Sequence, residues 1–132
     1  MTAARIEHVA LWTDDLERAK RFYVAYFGAV PGPPYRNAAK GFESVFLSLA
    51  GGARIELMRT TTLSPVALER GAQRMGLTHL AISVGSEQLV DSLTARIAAD
   101  GFAVLDGPRK TGDGYYESVV LDPDGNRVEI TA

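Results

Sequence analysis

Gly76-Leu77-Thr78-His79-Leu80-Ala81-Ile82-Ser83-Val84 alternates in the manner of a strand. Leu80, Ile82 and Val84 fall on one side, and Leu77, His79, Ala81 and Ser83 on the other, because successive strand side chains point to opposite faces. The first set is a core face. The second is small and polar around an imidazole, which predicts the wall of a cavity. A single His in a strand is more often a satisfied structural residue than a ligand, so the rest of the chain has to decide its role.

A second strand of the same kind stands near the start, Ile6-Glu7-His8-Val9-Ala10-Leu11-Trp12. Val9 and Leu11 form its packed pair and leave His8 beside the small Ala10. A helix is predicted next, with Asp14 as N-cap and Glu17 three residues later in a capping-box-like pair. Leu16, Ala19, Phe22, Tyr23, Tyr26 and Phe27 recur at helical spacing, so this aromatic stripe is core. Gly28 is its C-terminal stop. Residues 30–34 are rich in Pro and Gly and predict an extended connection, followed by Tyr35, Arg36 and Lys40. Residues 42–49 alternate again, Gly51-Gly52 makes a hairpin turn, and residues 53–58 return with Ile55 and Leu57 inward and Glu56 opposite.

Residues 59–75 are polar and Thr-rich, and only residues 66–70 hint at a short helix. After the strand around His79, Ser86 is the predicted N-cap of a helix carrying Leu89, Val90, Leu93 and Ile97 on one face and ending at Gly101. A short strand over residues 102–105, a loop over 107–114 and a strand over 115–121 follow. Asp122-Pro123-Asp124-Gly125 has the residue order of a type I turn. The last strand has Val128 and Ile130 inward and Glu129 opposite.

The two halves are one βαβββ unit written twice, and Arg54-Ile55-Glu56-Leu57 answers Arg127-Val128-Glu129-Ile130. This predicts one α+β domain over residues 1–132: a first module over 6–58, a linker over 59–76 and a second module over 77–131. The interval His8 to Glu56 is 48 residues and His79 to Glu129 is 50. The chain has two His, both in equivalent strands and each matched to a Glu in an equivalent final strand. Duplication accounts for the repeat but does not require four ligand-type side chains. Two imidazoles and two carboxylates form a charge-balanced site for a divalent ion. Strands curving into a half-barrel, with the helices outside, would gather His8, Glu56, His79 and Glu129 on its concave face. Without an ion, two such carboxylates close together would be costly to bury.

Composition narrows the rest. An apolar fraction of 46% is enough to fill a core. The net charge of −2 without a basic stripe excludes nucleic acid as a natural partner. There is no Cys, hence no disulfide, thiolate ligand or thiol nucleophile, which suits a reducing compartment. Met1 to Arg5 lacks the apolar run of a signal peptide and no 18-residue apolar stretch exists, so the expectation is a cytoplasmic protein without a membrane partner.

The stretches around His8, around His79 and from Leu121-Asp122-Pro123-Asp124-Gly125-Asn126-Arg127-Val128-Glu129-Ile130 resemble the vicinal oxygen chelate superfamily. That superfamily includes glyoxalase I, methylmalonyl-CoA epimerase, extradiol dioxygenases and the fosfomycin and bleomycin resistance proteins. The resemblance covers nearly the whole chain and implies the glyoxalase/bleomycin resistance/dioxygenase fold. The His/Glu/His/Glu set is most similar to bacterial glyoxalase I. The dioxygenases and fosfomycin enzymes typically use three protein ligands, the epimerase would prefer Gln in place of Glu56, and bleomycin-binding relatives lack the metal. In glutathione-dependent glyoxalase I an Arg follows the first ligand by four residues and an Asn follows the second by four. Here these positions are Trp12 and Thr60, and an indole cannot replace a bidentate guanidinium.

The resemblance implies a metal-dependent lyase or isomerase acting on a small vicinal-oxygen substrate other than a strict glutathione hemithioacetal. It would abstract a proton and stabilise an enediolate, using one Ni, Co, Mn or Zn ion per site. Glu129 is the implied base and Glu56 the mirror candidate. Trp12 and Thr60, Tyr116 and Ser118 on the predicted cavity face, and the loop cations Arg109 and Lys110 are the substrate-contact candidates; Arg36 and Lys40 are further anion contacts. Open sheet edges predict a homodimer. Two alternatives stand beside this reading: a ligand-sequestering protein of the bleomycin-resistance type, without turnover, and an extradiol-type dioxygenase.

Overall fold

The computed structural model describes residues 3–63 and 69–132. The chain divides into two compact units, Met1–Val66 and Ala67–Ala132. The short helix predicted within residues 66–70 falls mostly on positions outside those described.

In the first unit the order is β1 (His8–Trp12), α1 (Leu16–Phe27), β2 (Val30–Pro31), β3 (Tyr35–Asn37), a 3-10 turn (Ala38–Lys40), β4 (Phe42–Ser48) and β5 (Arg54–Thr60). The sheet runs β1-β5-β4-β2, with β3 also paired to β4. β1 lies parallel to β5, and the remaining pairs are antiparallel. The Pro-rich connection thus supplies two short strands, broken where Pro33 and Pro34 cannot donate to a ladder. Helix α1 starts one residue later than predicted. Its N-cap is Asp15, whose carboxylate accepts from the Arg18 N–H at 3.0 Å, while Asp14 pairs with the Arg18 guanidinium at 2.6 Å. Gly28 caps the other end in the left-handed region, which a Cβ would disfavour. Ala19, Phe22 and Tyr23 of α1 share the core with Val45, Leu47, Ile55 and Leu57.

The second unit repeats the scheme: β6 (Leu80–Ser83), α2 (Glu87–Ala99), β7 (Val104–Lys110), β8 (Tyr116–Leu121) and β9 (Arg127–Thr131), in the order β6-β9-β8-β7. Again the first strand pairs parallel with the last. Ser86 caps α2 as predicted, accepting from the Leu89 N–H. The apolar face differs in one respect: Val90 and Ile97 are buried, but Leu89 is exposed and Thr94 takes an inward position. Thr94 stays inside because its hydroxyl bonds both the Val90 carbonyl and the Ser118 hydroxyl, each at 2.6 Å.

The first half of the predicted loop over 107–114 is strand. β7 continues through a cis Gly107–Pro108 peptide to Lys110, with register shifts on either side of Asp106 against β8. Gly107 has a positive φ, and a Cβ there would stand 2.5 Å from the Glu117 carbonyl, so the bulge admits only Gly. Asp122 anchors the turn into β9: its buried carboxylate accepts from the Asp124 and Asn126 N–H groups and from the Asn126 side chain. Among the described residues no helix is long and apolar enough to cross a membrane.

Candidate metal centre

Residues in direct register across a sheet point the same way, which sorts the side chains of each unit. In the first, His8, Ala10 and Trp12 share a face with Arg54, Glu56 and Met58 of β5. Ser44 and Phe46 of β4 join them. In the second, Ala81 and Ser83 share a face with Glu129 and Thr131. Val119 and Glu117 of β8 join them, followed by Asp106 and Arg109 of β7. The apolar sets lie on the opposite faces, toward the helices.

Each unit brings its His and Glu together. The His8 Nε2 lies 3.6 Å from Glu56 Oε1, and the His79 Nε2 lies 3.1 Å from Glu129 Oε2. Two donor atoms held about 2.0–2.2 Å from one ion, at the angles of tetrahedral or octahedral geometry, stand about 3.0–3.5 Å apart. Both separations are close to this range, so each pair is spaced as two donors to one ion would be. Among the described residues no three His, Asp or Glu side chains gather into a ligand cluster within either unit. Each unit offers a pair.

His8 is further oriented by a residue that the sequence reading left aside. Its Nδ1 stands 3.0 Å from Glu7 Oε1. A carboxylate only accepts, so this contact draws a proton to Nδ1 and leaves Nε2 as the ring nitrogen on the Glu56 side. Glu7 is itself held by Arg54 at 2.6 Å. The Arg54 hydrogen bond, then that of His8, lowers the Glu7 carboxyl below its ordinary value. Phe46 fixes the ring from a third side, edge-on at 5.1 Å, and carries the Arg54 guanidinium 4.1 Å above its own ring. Glu7 borders His8 in sequence, and that adjacency was the available signal; strand alternation assigned it to the opposite face.

Glu117 was also missed. It stands opposite Thr131, diagonal to Glu129 on the same face, and is pushed above the ordinary carboxylate range, first by burial and then by its interaction with Glu129.

The substrate-contact candidates divide. Trp12 and Thr60 lie on the face of His8 and Glu56, at its far end. Arg109 lies on the Glu129 face but is engaged by Asp106 at 2.9 Å. Tyr116 and Ser118 require correction, because both turn toward α2. The Tyr116 hydroxyl bonds Asp91 at 2.5 Å, and Ser118 is buried against Thr94. Lys110 follows Tyr116 to that side and reaches Glu87 at 3.5 Å. Arg36 is paired with Glu43.

The profile of the glyoxalase/bleomycin resistance protein/dioxygenase superfamily matches residues 5–130. The chain belongs to this superfamily. By sequence the chain is similar to the uncharacterized protein YqjT of Bacillus subtilis (strain 168), 28% identical over 134 residues, covering 96% of this chain and 98% of YqjT. Among solved structures, a glyoxylase/bleomycin resistance protein/dioxygenase domain from Frankia sp. EAN1pec superposes with a TM-score of 0.81 at 23% identity, covering 98% of both chains. Glyoxalase I from Zea mays superposes with a TM-score of 0.77 at 21% identity, covering 96% of this chain and 44% of the maize enzyme. At these identities the superfamily members share the fold, two tandem βαβββ units of the α+β class.

Proposed function

We propose that this protein is a metal-dependent lyase or isomerase of the glyoxalase I type, acting on a small molecule with vicinal oxygens. The observation that carries the reading is the doubled His–Glu pair on equivalent strands of the two units, with His8 oriented by Glu7. His8, Glu56, His79 and Glu129 are assigned as ligands of one divalent ion, Ni, Co, Mn or Zn. Such an ion supplies Lewis acidity, making a C–H beside a chelated oxygen easier to deprotonate. Glu129 accepts that proton, with Glu56 as its mirror counterpart. Glu117, on the same face of the sheet, adds a second carboxyl group beside Glu129. Glu7 and Arg54 hold the His8 ring in one orientation.

The test is metal content. Protein loaded with each of the four ions in turn and dialysed should retain about one equivalent per site by elemental analysis. His8→Ala and His79→Ala should each abolish tight binding of that same equivalent. Retention of metal by His79→Ala at the parental level would overturn the ligand set. A screen of vicinal dicarbonyl and hydroxycarbonyl compounds with the loaded protein then separates turnover from simple sequestration.

A further inference from the structure

The face carrying His8 and Glu56 changes character toward the ends of β1 and β5. Trp12 and Thr60 lie four residues beyond them, about 13 Å along the strands. Trp12 is 46% exposed and meets Phe42 edge-on at 6.3 Å between ring centroids. Phe42 in turn lies 6.1 Å from the Tyr35 ring. Phe42 stands opposite Thr60 on one side and Asn37 on the other. Tyr35, Asn37, Lys40, Phe42, Thr60 and Thr62 line an open depression of about 490 Å³, within the size range of small-molecule sites.

Its polar lining is biased toward donors. Asn37 uses its Oδ1 to accept the Lys40 N–H at 3.2 Å, which leaves its amide NH2 for a ligand. The Thr60 and Thr62 hydroxyls share a single hydrogen bond at 3.1 Å, so one hydroxyl proton remains to be donated. Lys40 adds an ammonium group. No carboxylate lines the depression. Glu43, the acidic residue next along β4, points to the other side and is met there by Arg36 at 3.3 Å and Arg59 at 4.0 Å. Aromatic walls with donors, one cation and no acid select a flat apolar group that carries an anion.

We propose that this depression is a recognition subsite for an aromatic carboxylate, with Lys40 pairing with the acid and Phe42 and Tyr35 holding the ring. Calling that ligand the end of a substrate rests on the function proposed above; the binding itself is a property of the first unit alone. The separation along the strands makes the substrate an extended molecule whose aryl acid is remote from its reacting oxygens.

Trp12 is the only Trp in the chain and its ring meets Phe42 of the depression, so its emission reports on this site through that contact. Full-length protein freed of metal with a chelator is titrated with phenylacetate, phenylacetamide and acetate. Phenylacetate should change Trp emission saturably, phenylacetamide should bind at least about tenfold more weakly, and acetate should give no saturable change. Lys40→Met should lower phenylacetate affinity to that of the amide and leave the amide unaffected, with its melting temperature confirming the fold. Equal affinities for acid and amide, no effect of Lys40→Met on phenylacetate, or no saturable change with phenylacetate would each overturn the subsite. Because these titrations need no metal, failure of the four-ligand assignment leaves them unchanged, and failure here leaves the metal test intact.

Discussion

At the scale of single residues, the two His–Glu pairs differ in how firmly they are held. His8 is oriented through Nδ1 by Glu7, which Arg54 fixes in turn. Groups that orient a ligating imidazole typically govern metal affinity by about 10- to 100-fold. Glu7→Gln is therefore expected to weaken metal binding by about that factor in calorimetric titration while leaving one equivalent bound, whereas His8→Ala removes it. Trp12 and Thr60 set a second expectation. Losing a charge-assisted bidentate contact removes about 2–3 kcal/mol of binding, a factor of about 30 to 150. The metal-loaded protein should isomerise methylglyoxal–glutathione hemithioacetal poorly or not at all. A kcat/KM of about 10⁷ M⁻¹s⁻¹ or more, near the diffusional range, would show that the indole is no obstacle to glutathione.

Among the elements, α2 is tied to its sheet by a polar contact inside an apolar layer. Thr94 and Ser118 are both buried, as are Val90, Ile97 and Val120 of the same two elements, and the two hydroxyls are 2.6 Å apart. Thr94→Val deletes one partner and strands the other, a cost of about 1–3 kcal/mol. Replacing both, Thr94→Val with Ser118→Ala, should cost less than the sum of the two single changes, because neither then leaves an unpaired hydroxyl. Chemical denaturation of the four proteins measures this coupling, and strict additivity would exclude it. Local signals served the helices well: Ser86 and Gly28 cap where the sequence put them. The α1 start was off by one because Asp14 and Asp15 are equally good caps by type, and Arg18 decides between them by taking the Asp14 carboxylate.

For the molecule as a whole, β1 and β6 each end their sheet with a neighbour on one side within their unit. Large apolar side chains precede both edges in the open: Ile6 is 70% exposed, and Met75 and Leu77 are 99% and 87% exposed. Open edges with apolar flanks favour association. The expected state is a homodimer, to be read as twice the chain mass in sedimentation at micromolar concentration. A mass of one chain under those conditions would exclude it.

What the sequence determined by itself is the part that rests on local period. Alternation fixed the faces of β1, β5, β6 and β9 because an apolar set stands against a polar or small one in each. The duplicated unit followed from those strands, and so did the assignment of His8 with Glu56 and His79 with Glu129. The tertiary structure decided what depends on distant partners. In β8, Tyr116, Ser118 and Val120 share one face and Glu117 and Val119 the other, so both faces mix polar and apolar residues. Only the packing of α2 reveals which of them is covered. Pairing with β8 likewise carried β7 through a Gly-Pro step that by local propensity is a loop. Glu7 found its role through Arg54, 47 residues away. A short-range pattern cannot encode such contacts, because they form only when the chain has folded back on itself.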